Sequence, residues 1–244
     1  NNNFTQMINK EQFLVSITTI SEKFEVPGGT SWQDKIKEID ELGLKKVAVF
    51  PTCLNKEQRQ KMYELLEKIG LKEIPFVHLR SDMPSEELEY LIKRFNTQIF
   101  NIHTERQWPL QPGLSKHKTM IFMENAGFPL QRREIEKFGG ICLDFSHLEN
   151  VRLLHPKSFK EQEELLLWYK IGCNHIAAIG ATKQLTEDGT CVAFDKHIFK
   201  ELSEFDYLKN YPKEFFSNFC AVEVENSLKE QLQAIDYIVK ILNS

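Results

Sequence analysis

The chain has 244 residues, of which 41% are hydrophobic and 27% charged, an ordinary globular composition that excludes disordered, collagen-like and coiled-coil chains. Lys and Arg number 31 against 35 Asp and Glu, a formal net charge of -4, so there is no whole-chain basic footprint for nucleic acid. No run approaches the roughly 18 apolar residues a membrane span needs. Residues 1–20 show neither a basic n-region nor a small-residue cleavage site, so no signal peptide is expected. The five cysteines, Cys53, Cys142, Cys173, Cys191 and Cys220, form no C-x-x-C, which points to reduced thiols and a cytoplasmic setting rather than a thiolate zinc site.

Short apolar runs alternate with helical patterns along the whole chain. Residues 13–20 read as a first strand. Thr30 or Ser31 then caps a helix with Trp32, Ile36, Ile39 and Leu42 on one face, stopped by Gly43. A second strand covers 45–50. Asn55 opens a helix through Met62, Leu65, Leu66 and Ile69 that stops at Gly70. The third strand spans 73–79 and is followed by a helix capped by Ser85. The fourth spans 98–103. Residues 104–117 carry Pro109, Pro112 and Gly113, which argue against a full helix there.

The fifth strand spans 118–124, and Pro129 stands near the first turn of a short helix. The sixth strand spans 139–145. Ser158 and Glu161 form a capping box for a helix ending at Gly172. The seventh strand spans 173–180, followed by a loop and a helix near 196–208. The eighth spans 218–225, and a second capping box, Ser227 with Glu230, opens the last helix. Eight strands, most followed by a helix, predict a single (β/α)8 TIM barrel over residues 1–244, with an irregular connection between strands four and five.

In such a barrel the chemistry sits at the C-terminal strand ends. Those positions hold one class of side chain. They are His78, His103, Glu124, Asp144 with His147 three residues on, His175, Asp195 with His197, and Glu223 with Glu225. Imidazole and carboxylate are the ligands of zinc, manganese and similar divalent ions. Burial preferences disfavour Asp and Glu inside, so ligand-type residues at six successive strand ends point to a metal. Taken alone, each has a plainer reading. A single strand-end His is usually a hydrogen-bonded rim residue, and Asp195 would serve as an N-cap.

The motifs E-N-A-G at 124–127, D-F-S-H at 144–147, H-I-A-A at 175–178, D-K-H at 195–197 and E-V-E-N at 223–226 resemble the xylose isomerase-like TIM-barrel superfamily, which includes endonuclease IV and many sugar isomerases and epimerases. The resemblance covers essentially the whole chain in strand order. It implies Glu124, Asp144, His175 and Glu223 as metal ligands, with Glu223 preferred to Glu225. It also implies His78, His103, His147, Asp195 and His197 as the further ligands of a trinuclear hydrolytic site. The pattern departs from the DNA-binding branch after His78, where L-R-S follows, and in the first strand, which lacks G-A-H. No Arg follows His175 in the arrangement that ketose epimerases use.

Three functions follow. The first is a metal-dependent isomerase or epimerase of a sugar, sugar phosphate or polyol, with Glu124 and Glu223 as the acid/base pair. The second is a di- or trinuclear zinc phosphoester hydrolase, which would use the extra ligands; across these readings the cofactor is zinc or manganese, one to three ions. The third is a non-catalytic barrel. Arg80, Arg106 and Lys183 are candidates for holding phosphate. The expected partner is a small sugar or phosphoester rather than nucleic acid or membrane. Residues 104–114 and 181–196 should wall the pocket, and the segment around Trp108 would be either a lid or a homodimer contact.

Overall fold

A computed structural model describes residues 7–19, 28–185 and 192–244. Eight parallel strands close into a barrel. In chain order they are β1 (Phe13–Thr18), β2 (Ala48–Phe50), β3 (Phe76–His78), β4 (Ile99–Ile102), β5 (Ile121–Glu124), β6 (Ile141–Asp144), β7 (Ile171–Ile176) and, after a hairpin of β8 (Ala178–Leu185) with β9 (Val192–Lys196), the closing strand β10 (Cys220–Val222). Each strand pairs with the next in the alternation, and β10 closes the ring against β1 through Phe13–Cys220, Leu14–Ala221 and Val15–Val222. The fold is thus the expected (β/α)8 TIM barrel.

The helices are α1 (Trp32–Glu41), α2 (Lys56–Lys68), α3 (Ser85–Phe95), α4 (Arg132–Ile135), α5 (Phe145–Leu154), α6 (Pro156–Trp168) and α7 (Leu228–Asn243). Their apolar faces cover the outward side chains of the strands in one continuous core. Ser31, Asn55 and Ser227 cap α1, α2 and α7 by accepting from the backbone N–H three residues on. The connection after β4 holds no α-helix; it is a turn followed by a 3-10 segment, Leu114–Met120.

A second, separate cluster fills the barrel interior: Leu14, Ala48, Phe50, Phe76, Ile99, Phe122, Cys142, Cys173 and Ala221. Side chains alternate in and out along a strand, so the residues two positions on from these face the same way. That parity puts His78, Asn101, Glu124, Asp144, His175 and Glu223 in the next layer towards the C-terminal mouth. Gly172 makes room for the floor: a Cβ there would lie 2.1 Å from the Phe122 ring.

Several local expectations are corrected. Ser85 is the first residue of α3 rather than its cap; Pro84 precedes it and no side chain caps the helix. Helix α6 begins at Pro156, two residues before the supposed Ser158 box, because proline's fixed φ suits the first helical position. It ends at Trp168, and Gly172 belongs to β7. The short helix α4 starts three residues after Pro129, at Arg132. Helix α5 was not expected at all. The run 173–180 is not one strand. It turns at Ala177 into the antiparallel β8–β9 hairpin, which replaces the expected loop. The helix expected near 196–208 is a 3-10 segment, Leu202–Asn210. Ile20 and Cys191 lie outside the described residues.

Candidate metal centre

Glu124, the last residue of β5, is 2% exposed and stands at the centre of the mouth. Its Oε2 lies 3.1 Å from His78 Nε2, 3.7 Å from His103 Nε2 and 3.7 Å from His175 Nδ1. Asn101 Nδ2 donates to the same oxygen at 2.5 Å. On the other side, His147 Nε2 is 4.0 Å from Glu124 Oε1 and 3.7 Å from Asp144 Oδ2. His175 Nδ1 lies 2.8 Å from Glu223 Oε2 and 4.0 Å from Asp144 Oδ2. The second ring nitrogen of His147, Nδ1, reaches Asp195 Oδ2 at 3.3 Å.

The D-x-x-H spacing has a local cause. Asp144 is the N-cap of α5, and its Oδ1 accepts from the His147 backbone N–H at 2.8 Å and from the Ser146 hydroxyl at 2.6 Å. A cap binds the N–H three residues on, so the imidazole of that residue is carried to the strand end. Asn125 fixes the approach, accepting from the Asp144 N–H and donating to the Asp144 carbonyl. At β3, His78 Nδ1 lies 2.8 Å from the Leu79 carbonyl, which leaves Nε2 facing Glu124. A carbonyl on one ring nitrogen is the usual way to orient a ligating histidine.

The groups that could hold a cation are His78–His103–Glu124, Glu124–Asp144–His147, Asp144–His175–Glu223 and Glu124–Cys142–His175, each with ligand atoms mutually within 4.8 Å. The donor set suits a cation on independent grounds. Among the described residues no lysine or arginine pairs with Glu124, Asp144, Glu223 or Asp195. Asp144 Oδ2, Asp195 Oδ1 and both ring nitrogens of His175 are buried without a hydrogen-bond partner. His175 Nδ1 is close to Glu223 but outside hydrogen-bond geometry. Buried polar atoms left in this state are costly unless something else satisfies them.

Protons on histidine are the counter-charges the chain itself supplies. Burial pulls the His175 imidazole towards neutrality, but the Glu223 and Glu124 carboxylates outweigh it and hold its pKa up to about 10. Burial likewise opposes charge on Glu223, yet His175 keeps that carboxyl down at about 2. Glu124 is held well below the usual range, against burial, by His175, His103 and His78. Burial dominates at His103, pushing it down to about 4 despite Glu124. Asp144 is raised by burial, with Glu124 and Glu223 adding to the shift.

Eight of the nine expected ligands are linked by these distances. The ninth, His197, sits with its ring 6.5 Å from that of His147, and its backbone carbonyl accepts from Glu225 N–H. Asp195 is the penultimate residue of β9, so the plainer reading of it as a helix N-cap does not hold. Glu223 turns into the cluster. Glu225 faces away from it, 3.6 Å from the buried Lys35, whose Nζ also donates to the Val224 carbonyl at 3.0 Å. Of the phosphate candidates, Arg80 lines a cavity of about 350 Å³ beside His78 and His103. Arg106 is committed to Glu134 and the Pro129 carbonyl. Lys183 is exposed on the hairpin, over the Phe194 ring. Sequence reading missed Asn101, a neutral amide that does not look like a ligand; its inward parity with Ile99 was the available signal.

Fold and site together define a (β/α)8 barrel with a carboxylate–imidazole cluster at its C-terminal mouth. No protein-family model matches the chain, and no curated protein matches it. The likeness to the xylose isomerase-like superfamily stands on its motifs alone. Among the described residues no helix is long and apolar enough to cross a membrane.

Proposed function

We propose that the protein is a metal-dependent phosphoester hydrolase of the xylose isomerase-like superfamily, working with two or three divalent cations, zinc or manganese. The observation that carries this is the position of Glu124. One of its oxygens faces His78, His103 and His175, and the other faces His147. A carboxylate placed between separate imidazole groups would serve, with those imidazoles, to hold more than one cation. Bound there, the cations would lower the pKa of water and offset the charge that builds on phosphoryl oxygens.

The chain's own residues supply the rest. Asn101 fixes the Glu124 carboxylate, and Asp195 fixes the His147 ring. Arg80 donates to the Thr52 carbonyl at 2.6 Å and to Asp82 at 3.0 Å, which sets its guanidinium at the cavity wall next to His78. A planar guanidinium held in one orientation is suited to the oxygens of a phosphoester. Hydrolysis forms a bond from water oxygen to phosphorus and breaks the bond to the leaving oxygen, which takes up the proton.

The second reading is a single-cation sugar isomerase or epimerase. It is favoured by the compact group of Glu124, Asp144, His175 and Glu223, in which both glutamates contact His175. It leaves His78, His103, His147 and Asp195 without a role. Metal analysis of protein purified without chelator separates the two. Two or three ions per chain, with hydrolysis of bis(p-nitrophenyl) phosphate lost in Glu124→Gln, support the hydrolase. A single ion, no hydrolysis, and exchange of a sugar C–H proton with solvent overturn it.

A further inference from the structure

The cavity beside the metal cluster has features the cluster does not need. It runs from His78 and His103 outward to Trp108, between apolar walls formed by Leu79, Ile102 and Leu110. Trp108 is 55% exposed, although it sits beside this cavity rather than in the core. Its position is set by the backbone. Gln107 N–H and Trp108 N–H both donate to the Thr104 carbonyl, at 2.9 and 3.1 Å, and Pro109 stiffens the next step. The Gln107 amide lies tight over Gly127, where a Cβ would be 2.8 Å from Gln107 Oε1, and that oxygen is buried without a hydrogen-bond partner. Gln107 lines the same cavity.

We propose that this cavity binds a nucleobase, so that the phosphoester cleaved is that of a mononucleotide. The metal end of the proposal rests on the hydrolase reading; the ring site does not. A planar indole beside an open slot is a stacking platform that accepts any base. The Gln107 side chain at the edge of the slot brings an amide donor to a base edge. The volume decides the size of ligand. About 350 Å³ is near the lower end of small-molecule sites, enough for one ring system and its sugar but not for a stacked duplex. Arg80, on the same wall and next to His78, is placed to meet the phosphate as it enters the cluster.

The test is calorimetric binding of three probes, adenosine, adenosine 5'-monophosphate and ribose 5-phosphate, to wild-type protein, Trp108→Ala and Trp108→Phe. Adenosine carries no phosphate and reports on the ring site alone. Adenosine should bind the wild type, and the monophosphate should bind at least about tenfold more tightly than ribose 5-phosphate, the scale of one base stacked on an aromatic ring. Trp108→Ala should remove that preference, leave ribose 5-phosphate affinity unchanged, and be rescued by Trp108→Phe. Equal affinity for the two phosphates, silence of adenosine, or adenosine binding unaffected by Trp108→Ala would overturn the proposal. Adenosine binding in a protein that neither hydrolyses phosphoesters nor retains metal would sink the hydrolase reading and leave the ring site standing.

Discussion

Phe76, Ile99, Phe122, Cys142, Cys173 and Ala221 fill the lower layer of the barrel interior. His78, Asn101, Glu124, Asp144, His175 and Glu223 fill the layer two residues above, on the same strands. About 6.6 Å of strand separates them. The lower layer closes by dispersion and exclusion of water, and its rings interlock, as with Phe50 and Phe76 at 5.1 Å between centroids. The upper layer has the same burial and the opposite chemistry. Its side chains are arranged around charge, and three of them, Asn101, Asp144 and His175, keep buried atoms that nothing in the described chain satisfies. The difference teaches that one set of strands can hold the fold and the chemistry apart. The floor is held by packing, while the layer above gathers carboxylates and imidazoles around buried atoms left unsatisfied.

The largest effect should come from breaking the floor. Phe122→Ala removes a buried ring that also packs on Gly172, and should cost about 3–5 kcal/mol of unfolding free energy. Denaturant unfolding at a fixed metal concentration reads this out, and a loss under about 1 kcal/mol would mean the floor is not a packed core.

The upper layer should respond to cations instead. Zinc or manganese at a hundredfold excess over its dissociation constant should stabilise the wild type by about 2.7 kcal/mol, through binding to the native state alone. Chelation should reverse it. Glu124→Gln should lose most of this gain, and Phe122→Ala should keep it. A Glu124→Gln protein stabilised as much as wild type would dissolve the distinction between the layers.

A smaller, pH-dependent effect lies just outside the barrel wall. Burial lowers the Lys35 pKa from 10.5 to about 8, with Glu225 opposing the shift. A lysine with a depressed folded pKa destabilises the fold fully below about pH 8, where it is charged in both states. That penalty is relieved as pH rises through 8 towards 10.5. The wild type should therefore gain on Lys35→Met between pH 8 and 10 with a slope of up to about 1.4 kcal/mol per pH unit. Unfolding of both proteins at each pH measures it. A flat difference would show that Lys35 titrates normally.

Much of this was legible in the sequence, for identifiable reasons. Eight apolar runs with stop signals gave the barrel, because parallel strands covered on both faces read as near-continuous apolar segments. The polar residues at six of the strand ends marked the mouth. The β8–β9 hairpin was hidden because Ala178 and Ile179 extend the apolar run of β7 without a break. Helix α5 was hidden because Asp144 and His147 read as ligands, although the same spacing is also that of an N-cap and the backbone N–H that donates to it. Asn101 was invisible because only its neighbours' parity, not its chemistry, places it against Glu124.

Asp144 divides its two oxygens between these duties. Oδ1 is pinned by the His147 N–H and the Ser146 hydroxyl, and Oδ2 faces the cluster unpaired. A carboxylate held at one oxygen cannot rotate about its terminal torsion, so the direction of the other is decided when α5 forms. The entropy of freezing that rotor is lost once, on folding, and not again when a cation arrives. If the centre holds a cation, part of its affinity would thus be written into the first turn of α5.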